Sequence, residues 1–109
     1  RSEQKSQIMF EIIWSERAEN EYFHTLDFWI SHNKSSKYSE KIIIDVEKKE
    51  HKISQNPNIG TPIKYRNARR IQILKYFSLI YKIEGNTIEI LSFWDNRRNP
   101  DTLEVEIRE

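Results

Sequence analysis

Between Met9 and Trp14 the chain runs MFEIIW, too short for a helix and rich in β-branched and aromatic residues, which predicts a strand. Ser15 followed by Glu16 marks a helix start: the hydroxyl accepts from an orphan backbone N–H and the carboxylate faces the positive end of the helix dipole. Ala18, Tyr22, Leu26, Trp29 and Ile30 then fall at helical spacing and predict an amphipathic helix to about His32. The polar break 32–36 follows. Ser35 or Ser36 can cap a second helix with Tyr38, Ile42, Val46 and Ile53 on one face and Lys41, Asp45, Lys48, Lys49 and Glu50 on the other. So short a break between two long amphipathic helices implies an antiparallel hairpin lying on something apolar. Asn56-Pro57 ends it, because the residue before proline is pushed out of the helical region, and Gly60 and Pro62 continue as loop.

From Arg69 the apolar period becomes two, which predicts strands over Arg69 to Lys75, Phe77 to Glu84 and Thr87 to Asp95. Gly85-Asn86 is a two-residue hairpin signal, with glycine free to take positive φ. With that turn, Ile83 faces Ile88, Tyr81 faces Ile90 and Phe77 faces Trp94, while Lys82 faces Glu89 and Ile80 faces Leu91. One sheet face packs on the helices. The other, with Ile80, Leu91 and Phe93, needs cover from the C-terminal tail or from another chain. In that tail Leu103, Val105 and Ile107 alternate with charged residues, so 101–109 either adds a strand or frays. The fold class is α+β: an antiparallel helical hairpin packed on a small, mostly antiparallel sheet in the order β-α-α-β-β-β.

Composition narrows the function classes. The 109 residues make one domain, 1–109, with a core over about 9–100 and residues 1–8 as an extension. Two glycines and three prolines suit few, long elements. The absence of cysteine excludes a disulfide scaffold, a thiolate zinc site and a cysteine nucleophile, and fits a cytoplasmic address. No apolar run reaches the roughly 18 residues of a membrane span. The net charge of +1 conceals a polar layout: residues 51–83 hold Lys52, Lys64, Arg66, Arg69, Arg70, Lys75 and Lys82 with no acid at all, between acidic segments. Such a run creates a local positive field suited to an anionic or acidic partner, unless acids of the other segments pair with it across the fold. No metal-ligand spacing, glycine-rich phosphate loop or nucleophile elbow occurs, so no metal or cofactor is expected.

Several short segments carry a resemblance in their order and spacing. Trp14-Ser15 with Ala18 opens the first helix, and Asn56-Pro57-Asn58-Ile59-Gly60-Thr61-Pro62 follows the second. Arg69-Arg70 begins a strand, Tyr76 and Tyr81 fall in the segment that follows it, and Phe93-Trp94-Asp95-Asn96-Arg97-Arg98-Asn99-Pro100 ends the last strand. From about Phe10 to Pro100 the chain resembles the RelE/ParE superfamily, the toxin halves of bacterial type II toxin–antitoxin modules, which include plasmid stabilisation proteins.

The resemblance implies two branches. RelE-like members cleave mRNA in the ribosome without a metal, holding phosphates with basic side chains and, in many, moving protons with a His or Tyr near the C-terminus; ParE-like members bind and poison DNA gyrase. In both, an antitoxin wraps the toxin, and the complex binds promoter DNA through the antitoxin. A RelE-like reading assigns phosphate binding to Arg66, Arg69, Arg70, Arg97 and Arg98, but this chain has no His or Tyr after Tyr81 and a pI of 8.1, below that usual for a nucleic-acid-binding domain. The ParE-like branch is therefore favoured, with a RelE-like endoribonuclease or a non-toxic antitoxin-binding homologue as alternatives. The expected partner surface is Lys64, Arg66, Arg69, Arg70 and Lys75 together with Phe93, Trp94, Arg97 and Arg98, in a homodimer or a toxin–antitoxin hetero-oligomer.

Overall fold

The computed structural model describes residues 9–65, 67–99 and 102–103. Strand β1 (Glu11–Trp14) leads into helix α1 (Glu16–Asn33) and helix α2 (Lys37–Gln55). A single 3-10 turn, Pro57–Ile59, precedes β2 (Thr61–Pro62), β3 (Arg69–Ile73), β4 (Phe77–Glu84) and β5 (Thr87–Asp95). The sheet order is β1-β5-β4-β3-β2, with β1 parallel to β5 and the other pairs antiparallel.

Ser15 caps α1 as its sequence predicts: its backbone is extended and its hydroxyl accepts from the Ala18 N–H at 3.0 Å. Lys34 ends the helix in the left-handed region and returns its N–H to the Ile30 carbonyl. At α2 the residue in the cap position is Ser36, which makes no side-chain cap bond; Ser35 accepts from the Lys37 N–H at 3.2 Å, and Ser36 donates to Glu40. The buried Ser39 hydroxyl donates to the Leu26 carbonyl at 2.7 Å and ties the two helices together.

Thr61–Pro62, expected as loop, is a short strand against Arg69 and Arg70. Proline is tolerated there because β2 is an edge strand. Two predicted cross-strand pairs are also corrected. Ile83–Ile88, Lys82–Glu89 and Tyr81–Ile90 pair as expected, but beyond them the register shifts, so Ile80 pairs with Ser92 and Phe77 with Asp95. Leu91 is the extra residue of a β-bulge, a break in the period of two that a regular ladder does not anticipate. As a result Phe93 joins the helix side of the sheet rather than the face of Ile80 and Leu91.

The main core lies between the hairpin and the sheet, with Ala18, Ile42, Val46 and Ile53 meeting Ile73, Phe77, Leu79, Tyr81, Ile88, Ile90 and Phe93. The second face has its own cluster of Ala68, Ile80, Leu91, Trp94 and Leu103, with Ile63 and Tyr65 against it. The cover sought for that face thus comes from the β2–β3 loop and from Leu103. Thr102 and Leu103 are helical; the remainder of the predicted strand-or-frayed tail lies outside the described residues. Asp45, Lys49 and Glu50, expected on the solvated face of α2, are half-buried. Asp45 and Lys49 hold the β3–β4 turn, and Glu50 holds Trp14. Among the described residues no helix is long and apolar enough to cross a membrane.

Candidate functional site

The basic residues separate according to strand parity. Arg69 shares its face with Ile71 and Ile73 on the helix side, is half-buried, and donates to the carbonyls of Asn58 at 3.0 Å and Gly60 at 2.7 Å. It fastens the turn after α2 rather than presenting a free cation. Arg70 is exposed, pairs with Ile80, and so belongs to the opposite face. Lys64 is exposed in the β2–β3 loop, and Arg66 lies outside the described residues. Lys75, in the β3–β4 turn, places its ammonium 5.6 Å from the Tyr76 ring centre.

Phe93 and Trp94 are buried, at 4% and 3% exposure, and so offer little surface of their own. Phe93 lies between Phe77 at 5.2 Å and Tyr22 at 5.1 Å. Trp94 carries the Arg98 guanidinium at 4.5 Å from its ring centre, so Arg98 roofs the second cluster.

Arg97 lies elsewhere. It donates to both carboxylate oxygens of Asp95, at 3.0 and 2.8 Å, and stacks on Tyr76 at 4.8 Å. Its guanidinium holds the Asp95 carboxyl below the ordinary value, and the pairing raises Arg97 in turn. Both residues line an open groove of about 250 Å³ with His24, Thr25, Phe28, Trp29 and Phe77. Tyr38 is close by: burial raises its hydroxyl, and Arg97 opposes that shift. Lys75, Tyr76 and Arg97 therefore gather at one end of the sheet, Arg98 and Arg70 take the second face, and Arg69 is spent on the fold.

The apolar stripe Ala18, Tyr22, Leu26, Trp29 and Ile30 that predicts α1 does not include His24 or Phe28. A second helical stripe in α1, His24-Phe28-His32, carries the missing signal: Phe28 is 49% exposed and stacks on His32 at 5.4 Å. The groove combines aromatic walls with an arginine whose charge is already matched by Asp95. That chemistry suits an apolar or aromatic side chain better than a phosphate, which needs unmatched cations. Among the described residues no group of three or more His, Asp or Glu is placed to hold a metal ion.

Residues 12–100 match the family described as ParE toxin of type II toxin-antitoxin system, parDE. Among solved structures, the chain is similar to one titled chromosomal ParDE TA system from P. aeruginosa, at a TM-score of 0.66 and 18% identity. The likeness covers 80% of this chain and 96% of that one, and establishes a shared fold. No curated protein matches.

Proposed function

The chain belongs to the ParE toxin family of type II toxin–antitoxin systems, and from that premise we propose that it arrests growth by binding a protein target such as DNA gyrase and is neutralised by a cognate antitoxin. The observation that carries this reading is the groove at the end of β5: its arginine is neutralised in place by Asp95, while Phe28, Trp29 and Phe77 give it walls for a protein side chain. Lys64, Arg70, Lys75 and Arg98 supply the exposed basic contacts, and Trp94 supports Arg98 from below.

The test is induced expression in a bacterial host with and without the neighbouring reading frame, followed by pulse-labelling of DNA and protein synthesis. DNA synthesis should fall first, purified protein should inhibit gyrase supercoiling, and the neighbour should restore growth. Early collapse of protein synthesis with gyrase untouched would overturn the reading. A ribosome-dependent nuclease is the second reading, favoured by one observation: His24, a proton-transfer group, lines the same groove as Arg97. It requires codon-linked mRNA cleavage that His24→Ala abolishes. A protein that arrests nothing on induction would instead be a non-toxic antitoxin-binding homologue.

A further inference from the structure

On the helical hairpin, away from the groove, a second hollow of about 180 Å³ opens between the first half of α1 and the second half of α2. Trp14, Tyr22, Phe23 and Val46 line it, together with Glu19, Glu47 and Glu50. The aromatic walls are ordered: Trp14 stacks on Tyr22 at 5.1 Å and Tyr22 on Phe23 at 5.7 Å. The Trp14 indole N–H donates to one oxygen of Glu50 at 2.7 Å. None of the ion pairs among the described residues involves Glu19, Glu47 or Glu50. Their field reaches into the hollow, where burial first, then Glu50 and Glu47, push the Tyr22 hydroxyl up to about 12.

The hollow is large enough for the end of one long side chain. An anion would be repelled, and an apolar group would strip water from carboxylates without replacing it. A cation on an apolar stem satisfies both parts: aromatic faces attract it through their quadrupole, and the carboxylates accept its hydrogen bonds. Arginine fits better than lysine, because a planar guanidinium stacks on a ring while forking onto a carboxylate.

We propose that this hollow receives an arginine side chain of the cognate antitoxin. The proposal rests on the toxin–antitoxin reading and adds chemistry to it. The hollow lies beside β1, at one edge of the sheet, whereas Lys64, Arg70 and Lys75 lie in the β2–β3 loop, in β3 and in the β3–β4 turn, toward the opposite edge. A segment that presents a base to the hollow and acids to that stretch can wrap the toxin in only one direction.

The experiment uses the toxin and the protein encoded by the neighbouring reading frame, with the dissociation constant measured at low and moderate salt. The exposed Glu47 is changed to Gln and to Lys, with urea unfolding as the check on folding. Glu47→Gln should weaken the complex several-fold and flatten its salt dependence, and Glu47→Lys should weaken it at least tenfold. An arginine-to-glutamate change at one antitoxin position should restore the Glu47→Lys complex. Unchanged affinity in both variants overturns the proposal and leaves the toxin–antitoxin reading intact. Loss confined to toxin self-association or to gyrase inhibition also overturns it, since the occupant would then be a second copy or the target. Failure of the unaltered pair to associate removes the reading on which the proposal rests.

Discussion

Tyr81 is fully buried, and its hydroxyl donates to the Pro57 carbonyl at 2.6 Å while accepting from the Gly60 N–H at 3.0 Å. One side chain in β4 thus satisfies both ends of the turn that leaves α2. Tyr81→Phe strands these two backbone groups and should cost ~1–3 kcal/mol, read from urea unfolding. A Cβ on Gly60 would sit 2.5 Å from the same hydroxyl, so the glycine is required by close approach rather than by an unusual φ. Gly60→Ala should cost a similar ~1–3 kcal/mol alone and measurably less in the Tyr81→Phe background, which a double-mutant cycle reads directly. Asp45 gives a pH signature. Burial pushes its carboxyl up, but the Leu74 N–H at 2.8 Å and Lys49 at 3.1 Å outweigh this and hold it below its ordinary 3.8. A depressed carboxyl stabilises the fold above its unfolded value, and that contribution is lost as pH falls through the folded one. Unfolding midpoints should therefore decline on acidification below about pH 4, less steeply in Asp45→Asn than in the parent. Apart from the Asp45–Lys49 pair, which is one helical turn apart, these contacts were not legible in the sequence, because each joins residues far apart in the chain.

The elements themselves were largely legible, because apolar spacing places both helices and three strands, and the short β-branched and aromatic run before Ser15 places a fourth. Two features escaped. A strand as short as Thr61–Pro62 carries no period, and the β5 bulge breaks one. The bulge is held from outside the sheet. Beyond Ile90 strand β1 has ended, and α1 takes over: Ser15 donates to the Leu91 carbonyl at 3.4 Å, and Glu21 accepts from the Ser92 hydroxyl at 2.8 Å and the Phe93 N–H at 3.0 Å. Glu21→Ala leaves the Phe93 amide unpaired and should cost ~1–3 kcal/mol, whereas Glu21→Gln keeps an acceptor and should cost less. Ser15→Ala loses the cap of α1 as well and should cost about 1 kcal/mol. Urea unfolding of the three variants checks the ranking. The β3–β4 turn is held from outside in the same way. Leu74 stands at φ +49° without being glycine, and the contacts of Asp45 and Lys49 keep it there.

Across the whole molecule, the sheet buries apolar side chains on both faces, but the covers differ in kind. Two long helices close one side, and a loop and Leu103 close the other. Leu103→Asp should therefore leave the helical signal intact while exposing Ile80, Leu91 and Trp94, giving more hydrophobic dye binding and self-association than the parent shows under the same conditions. The candidate site was legible in residue type but not in arrangement: charge counting finds the arginines, whereas the pairing of strands sends Arg69 inward and the turn after β5 lays Arg97 on Asp95 and Arg98 over Trp94. The bulge also gives β5 an uncommon tolerance. In a central strand a one-letter deletion normally turns every later side chain over, as a lost base shifts a reading frame. Leu91 is the spare letter here, since Tyr81 already pairs with Ile90 and Ile80 with Ser92. Removing it shortens the strand, and Phe93 and Trp94 keep the faces they now occupy.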